Sequence, residues 1–231
     1  MMKKTRLTSL LMALALALCL VFSSAVAEEP FDPEQLMHDV NGTYTELFAT
    51  LCKPEYDSVW LEKCVAVVGE ENAELVAEML KSACTGTIYG PEAEQAYAAD
   101  PDSAVFDCYF QGGVSKFVFE DGNVKGLDAD GNVVFDHNYT YVETLPDTIA
   151  CYLYKTDDAD AGDFTYVALA PDTPGTTYHI EFRYGGNCED IGKLYEGEYA
   201  YWMGAGILED ADEEMIDNVI ELFTVENTAE E

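Results

Sequence analysis

Between residues 105 and 184 the hydrophobic positions of this chain repeat every two residues, whereas on either side they repeat every three to four. The segments VFDCYF, KFVFE, NVKGLD, NVVFDH, YTYVETL, IACYLYK, FTYVALA and TYHIEFRY read as about eight short strands. Gly112-Gly113, Asp121-Gly122, Asp130-Gly131, Asp147 and the 157–163 loop mark the turns between them, and Asp-Gly between alternating runs is a hairpin signal. Many short antiparallel strands at close spacing predict a small barrel or sandwich. Before them the spacing predicts three helices. Asp39–Cys52 carries Tyr44, Leu47, Phe48 and Leu51 on one face. Asp57–Val68 ends at Gly69, and Asn72–Cys84 repeats Val76, Leu80 and Cys84. Residues 28–38 read as an extended leader and residues 90–103 as a loop with a helical turn. After the strands the pattern predicts a helix near Cys188–Leu194, then Tyr199-Ala200-Tyr201-Trp202 packed on the strands. A C-terminal helix follows, with Met215, Ile216, Val219, Ile220 and Phe223 as its apolar stripe and a capping-box pattern at Asp210–Glu213.

The first 27 residues stand apart. Lys3, Lys4 and Arg6 precede the apolar run Leu10–Phe22, and Ala25-Val26-Ala27 is a small-residue cleavage site. This is the pattern of a secretory signal, too short for a good membrane span. The expected product is secreted, extracellular or periplasmic, with no membrane association after cleavage near Ala27. Its domain runs from 39 to 227: a helical part (39–103), an antiparallel barrel (104–184) and C-terminal helices (185–227), followed by a short tail at 228–231.

Charge sharpens the picture. The chain has 45 acidic residues against 11 Lys and Arg, a net charge of −34. Such a surface excludes nucleic acid as a partner and attracts cations diffusely. Six cysteines follow the signal: Cys52, Cys64, Cys84, Cys108, Cys151 and Cys188. An even number in an exported chain predicts up to three disulfides, with fifteen pairings open. The closest spacing, Cys52 to Cys64, is too wide for the usual thiolate zinc pairs.

Catalytic signatures are lacking. No nucleophile elbow, phosphate loop or H-E-x-x-H motif occurs, so no enzymatic activity is expected. Candidate chemistry centres on TYHIEFRY. Alternation places Thr177, His179, Glu181 and Arg183 on one face, with Tyr178, Ile180, Phe182 and Tyr184 on the other. His137 ends another strand beside Asp136 and would converge on His179 if the two strands met; His38 lies in the leader. The acidic loops at Asp128–Asn132 and Asp157–Asp163 offer oxygen ligands, although the first lacks the EF-hand glycine and glutamate and fits a hairpin turn better.

These residues resemble the ZinT family, exported zinc- and cadmium-binding proteins with a calycin-like barrel related to lipocalins. The similarity runs from about Asp39 to Asn227. FTYVALAP stands where the family has a strand carrying a metal-binding histidine, and TYHI stands where it has His-Phe-His-Ile. GTYTELFATL resembles the family's opening helix. The Asp130-Gly131 hairpin, Tyr201-Trp202 and the C-terminal amphipathic helix follow in matching order. The resemblance implies an antiparallel calycin/lipocalin-like barrel of α+β class that binds zinc, or another divalent cation, as a monomer. Of the three family histidines, the first falls on Val167, the second on Thr177, and the third is His179. The family's histidine-rich N-terminal tract is absent. A metal site here would therefore use His179 with Glu181 and His137. The alternative is a barrel without a metal site that binds a small organic ligand or acts as an extracellular interaction module, with Arg183 neutralising Glu181.

Overall fold

A computed structural model describes residues 32–146 and 150–228; the predicted signal sequence and the last three residues lie outside them. The chain opens with helix α1 (Pro33–Asp39), whose first turn is capped by the Asp32 carboxylate accepting from Glu34 N–H. The predicted extended leader is thus partly helical. Strand β1 (Gly42–Glu46) follows and leads directly into the short helix α2 (Leu47–Leu51). The sequence pattern predicts one helix across both. Tertiary pairing decides otherwise: Tyr44 is fully buried between β1's two neighbours, a place that Gly-Thr-Tyr-Thr fills well as a half-buried strand.

Helices α3 (Asp57–Val68) and α4 (Glu70–Ala83) match their predicted spans closely, and α5 (Pro91–Ala99) occupies most of the predicted loop. Strands β2 (Lys116–Glu120), β3 (Asn123–Leu127), β4 (Val133–Asn138), β5 (Thr140–Pro146), β6 (Ala150–Lys155), β7 (Tyr166–Leu169), β8 (Ile180–Gly185) and β9 (Gly204–Leu208) then form one antiparallel sheet with β1. The segment VFDCYF contributes only isolated bridges, and residues 188–194 form turns where a helix is predicted. Helix α6 (Glu213–Thr228) ends the described chain; Asp212 caps it by accepting from Met215 N–H at 2.8 Å.

The strand order is β4-β3-β2-β1-β9-β8-β7-β6-β5. The sheet is strongly curled, because side chains on strands far apart in this order touch. Phe117 of β2 meets Phe182 and Tyr184 of β8 at ring separations of 4.8 and 5.0 Å. Phe135 of β4 stacks on Phe164, just before β7, at 4.0 Å. The fold is therefore α+β with a half-barrel sheet; β4 and β5 end it with one strand partner each. Gly126 permits the tight packing of the concave face, since a Cβ there would meet the Phe135 ring at 2.4 Å.

The helices pack beside the sheet. Trp60 of α3 and Phe48 of α2 both contact Phe223 of α6, and Lys63 bridges to Asp217 and Glu221 at 2.6 and 2.7 Å. Among the described residues, no helix is long and apolar enough to cross a membrane.

Candidate metal centre

The predicted alternation holds from Ile180 onward and sorts the chemistry by face, whereas Thr177–His179 form a turn where the sequence pattern predicts strand. Register pairs Phe182 with Leu169 and Tyr184 with Val167, so these four share the concave, aromatic face. Glu181 and Arg183 point the other way. His179 immediately precedes the strand, after a loop in which Tyr178 has a left-handed backbone (φ 66°).

His179 is held by its backbone surroundings. Its Nδ1 lies 2.6 Å from the Thr177 carbonyl, so Nδ1–H donates there and Nε2 is aimed at Glu181. Nε2 stands 3.7 Å from Glu181 Oε1, an ionic contact rather than a hydrogen bond. Both side chains are nearly buried, at 12% and 5% exposure. The second carboxylate oxygen of Glu181, Oε2, is buried and has no hydrogen-bond partner.

Two further carboxylates share this environment, and sequence reasoning passed over both. Asp172 comes from the β7–β8 loop, where it reads as an ordinary turn residue. Glu226 comes from the last turn of α6, where it reads as solvated helix surface. The charge of Asp172 acts on His179, Glu181 and Glu226, and Glu226 is influenced by the other three. Burial works to lower the His179 pKa, but the contact with Glu181, the charges of Asp172 and Glu181 and the Thr177 carbonyl outweigh it and lift it to about 9. Burial raises the Glu181 pKa, opposed by His179 and reinforced by Asp172. Burial also raises Asp172. Glu226 is pushed up to about 7, first by burial and then by the neighbouring carboxylates, with His179 acting against them. Three carboxylates around one imidazole make a site of negative potential.

Arg183 reaches the backbone of the segment that follows β8. Its Nε donates to the Trp202 carbonyl at 2.7 Å, and its Nη1 donates to the Ile191 and Lys193 carbonyls at 3.2 and 2.6 Å. Its charge still lowers the Glu181 pKa, after the larger effects of burial, His179 and Asp172. The guanidinium ties the 191–202 segment to the back of β8.

His137 is placed elsewhere. Register from β4 through β3, β2, β1 and β9 to β8 puts it on the same face as Phe182, opposite Glu181. Its Nδ1 contacts Asp158 Oδ2 at 2.8 Å. The structure thus brings His179 and Glu181 together and leaves His137 outside the cluster. His38 contacts Asp121 on the surface. Val167 lies on the concave face with Tyr184, and the Thr177 hydroxyl donates to the Thr173 and His179 carbonyls. The Asp128–Asn132 segment is the β3–β4 turn, its Asp128 carboxylate accepting from Asp130 and Asn132 N–H. Among the described residues, no three His, Cys, Asp or Glu side chains stand in ready ligation geometry.

No family model matches this sequence, and no curated protein matches it either. Among the solved structures that resemble the chain are two zinc-bound ones. One is the Zn(II)-bound ZinT-like domain of Streptococcus pneumoniae AdcA, at a TM-score of 0.48 and 16% identity, covering 93% of this chain and 98% of that one. The other is Zn(II)-bound AdcA from Streptococcus pneumoniae, at a TM-score of 0.45 and 15% identity, covering 88% of this chain and 41% of that one. At so low a TM-score neither likeness carries an argument, and the functional reading rests on the residues of the site.

Proposed function

We propose that this chain is an exported binding protein for a divalent metal, zinc first, built as a calycin-like barrel and without catalytic activity. His179 and Glu181 are the donors, and Asp172 and Glu226 are the reserve of oxygen ligands. The observation that carries this reading is Glu181: one oxygen faces the His179 Nε2, and the other is buried with no partner. A buried carboxylate oxygen left without a donor is costly, and a cation is what would satisfy it.

The donor set fits a borderline metal such as zinc, which accepts imidazole nitrogen and carboxylate oxygen. Nitrogen and oxygen ligands of a tetrahedral zinc lie about 3.4 Å apart, and the His179–Glu181 separation of 3.7 Å is close to that. The Nδ1 contact to the Thr177 carbonyl matches the support that ligating histidines usually receive from behind. In the metal-free protein a proton on His179 offsets the surrounding carboxylates; a bound cation would take over that role.

Calorimetric titration with zinc, comparing the chain from Glu28 onward with its His179→Ala variant, tests the reading. Saturable one-to-one binding that weakens about 100-fold in the variant is expected, the scale seen when a site loses a ligand or its support. Equal binding by both proteins, or none by either, would remove the site.

A further inference from the structure

Helices α3 and α4 form a hairpin joined by Gly69, and a surface groove of about 520 Å³ runs between them. The α3 sequence, DSVWLEKCVAVV, is apolar on every side. Its inner face buries Trp60 and Cys64. Its outer face presents Leu61, which is 44% exposed, and one turn on the half-buried Val65. Both line the groove together with Ala77 of α4, which is buried. A helix that is apolar all round is normally covered all round. Here one side is left open to solvent.

The same groove is flanked by negative charge. Asp57, Glu70, Glu74 and Glu78 line it, and all four are exposed. Lys81 is the cation of the lining, and it is held by Asp57 at 3.1 Å and by Glu78 at 3.0 Å. Glu70 and Glu74 stand one turn apart on α4, and neither has an ion-pair partner among the described residues. Exposed aliphatic surface and unpaired carboxylates therefore coincide here. A second groove beside α3, of about 630 Å³, is acidic too, but Lys63 holds its Asp217 at 2.6 Å and its apolar members, Tyr56 and Val59, are half-buried.

We propose that the α3–α4 groove docks a basic amphipathic helix of a partner protein. Recognition of a helix in a groove needs an apolar strip for anchors at i, i+3, i+4 and i+7, and flanks of complementary charge. Leu61 and Val65 supply the strip, and Glu70 and Glu74 supply charge for Lys or Arg on the guest. At the rise of a helix, Asp57 to Val65 spans ~12 Å and Glu70 to Lys81 spans ~16 Å, so the groove suits about two to three turns of guest. The guest must be positive. The chain carries a net charge of −34, so a second copy would set like charge against like, and an acidic helix would be repelled. The groove shares no residue with the metal centre, and neither reading depends on the other.

The test is a titration of the chain from Glu28 onward with three labelled peptides, read by fluorescence anisotropy and by amide NMR. The first is a helical Leu/Lys peptide with Leu at i, i+3, i+4 and i+7. The second replaces its Lys by Glu, and the third scrambles it so that no helical face is apolar. The first should bind saturably and one-to-one, shift amide signals within residues 57–81 and weaken as salt rises. The other two should bind at least about tenfold more weakly. Leu61→Asp and the double variant Glu70→Lys, Glu74→Lys should each weaken the first peptide about tenfold. The control variant Val133→Asp, Glu143→Lys, at exposed positions of β4 and β5, should leave it unchanged. All the substituted positions are exposed, so folded variants are expected, and circular dichroism checks this; the glutamate pair keeps the test decisive should Leu61→Asp fail to fold. The proposal is overturned by any of five results: no saturable binding, equal binding of the scrambled peptide, undiminished binding by the folded groove variants, the same loss in the control, or self-association of the chain in sedimentation that Leu61→Asp abolishes.

Discussion

His179 Nε2 faces Glu181 Oε1 at 3.7 Å while its other ring nitrogen is fixed on the Thr177 carbonyl. The imidazole is therefore held as the positive member of a mostly negative cluster, and the folded state takes up protons there that the unfolded chain releases. A group whose pKa is raised on folding stabilises the fold below its unfolded pKa and loses that contribution as pH rises through its folded pKa. For His179 the window lies between the ordinary 6.5 and about 9; for Glu226 it lies between the ordinary 4.5 and about 7. Both act in the same direction. In the presence of a chelator, stability to urea should fall as pH rises from 5 to 9, and His179→Gln should flatten the upper part of that decline. A stability that increases across this range would contradict the arrangement.

Glu226→Gln separates stability from binding at the same cluster. Removing a carboxylate that is hard to ionise should raise the melting temperature of the metal-free protein above pH 7. Solvent screening limits the gain to about 1 kcal/mol, or roughly 2–4 °C for a domain of this size. At pH 5 the two proteins should melt together. Zinc affinity should move the opposite way, because the change also removes an oxygen donor.

Phe117 is fully buried and touches Phe110, Phe119, Phe135, Phe182 and Tyr184 across the curled sheet. Its truncation would leave a cavity that the surrounding rings, held on different strands, cannot readily fill. Phe117→Ala should cost about 3–5 kcal/mol in equilibrium unfolding. A cost under about 1 kcal/mol would mean that the concave face is less closely packed than these ring separations describe.

Gly185→Ala should be destabilising by about 1–3 kcal/mol, because the new methyl must push the Tyr199 ring off β8. The same displacement should reach Trp202, whose ring lies 6.1 Å from that of Tyr199. Chemical shifts of Trp202 should change in this variant, and those of Trp60, among the helices, should not.

The cysteines make a more definite prediction than their number does. All six are unlinked in this structure. Thr85 and Asp107 pair as an antiparallel bridge, which sets their neighbours Cys84 and Cys108 at facing positions, and the two buried thiols interact. Exchange with a disulfide oxidant would remove two electrons and two protons from this pair and reduce the oxidant to two thiols. Both thiols are fully buried in the fold, so the exchange needs an unfolded chain, and peptide mapping of protein refolded in oxidised glutathione should find Cys84 joined to Cys108. Recovery of Cys84 and Cys108 in unlinked peptides would overturn the prediction.

How much of this was legible in advance varied with the length scale of the interaction. The Asp130-Gly131 turn, the alternation of β8, the α3 and α4 helices and the stripe of α6 all rest on periodicity and local turn chemistry, which a sequence displays openly. Gly42–Glu46 reads as helix because Tyr44, Leu47, Phe48 and Leu51 satisfy a helical spacing, while the contacts that make it a strand come from residues 117–119 and 206–208. Strand β9 is not evident in the sequence for a related reason: Gly-Ala-Gly-Ile-Leu has little strand character of its own and is shaped to fit beside Tyr44 and Phe182.

The candidate site divides in the same way. That His179, Glu181 and Arg183 share a face follows from the two-residue period of a strand, and the sequence alone determined it. Which charges gather around His179 depended on where a loop and the end of a distant helix came to rest. Tertiary structure supplied Asp172 and Glu226, turned Arg183 towards the Trp202, Ile191 and Lys193 carbonyls, and set His137 on the opposite face of the sheet. The physical reason is that side-chain direction along a strand is a local property of the backbone. The meeting of charges from separate elements is decided only when the sheet curls and the helices pack.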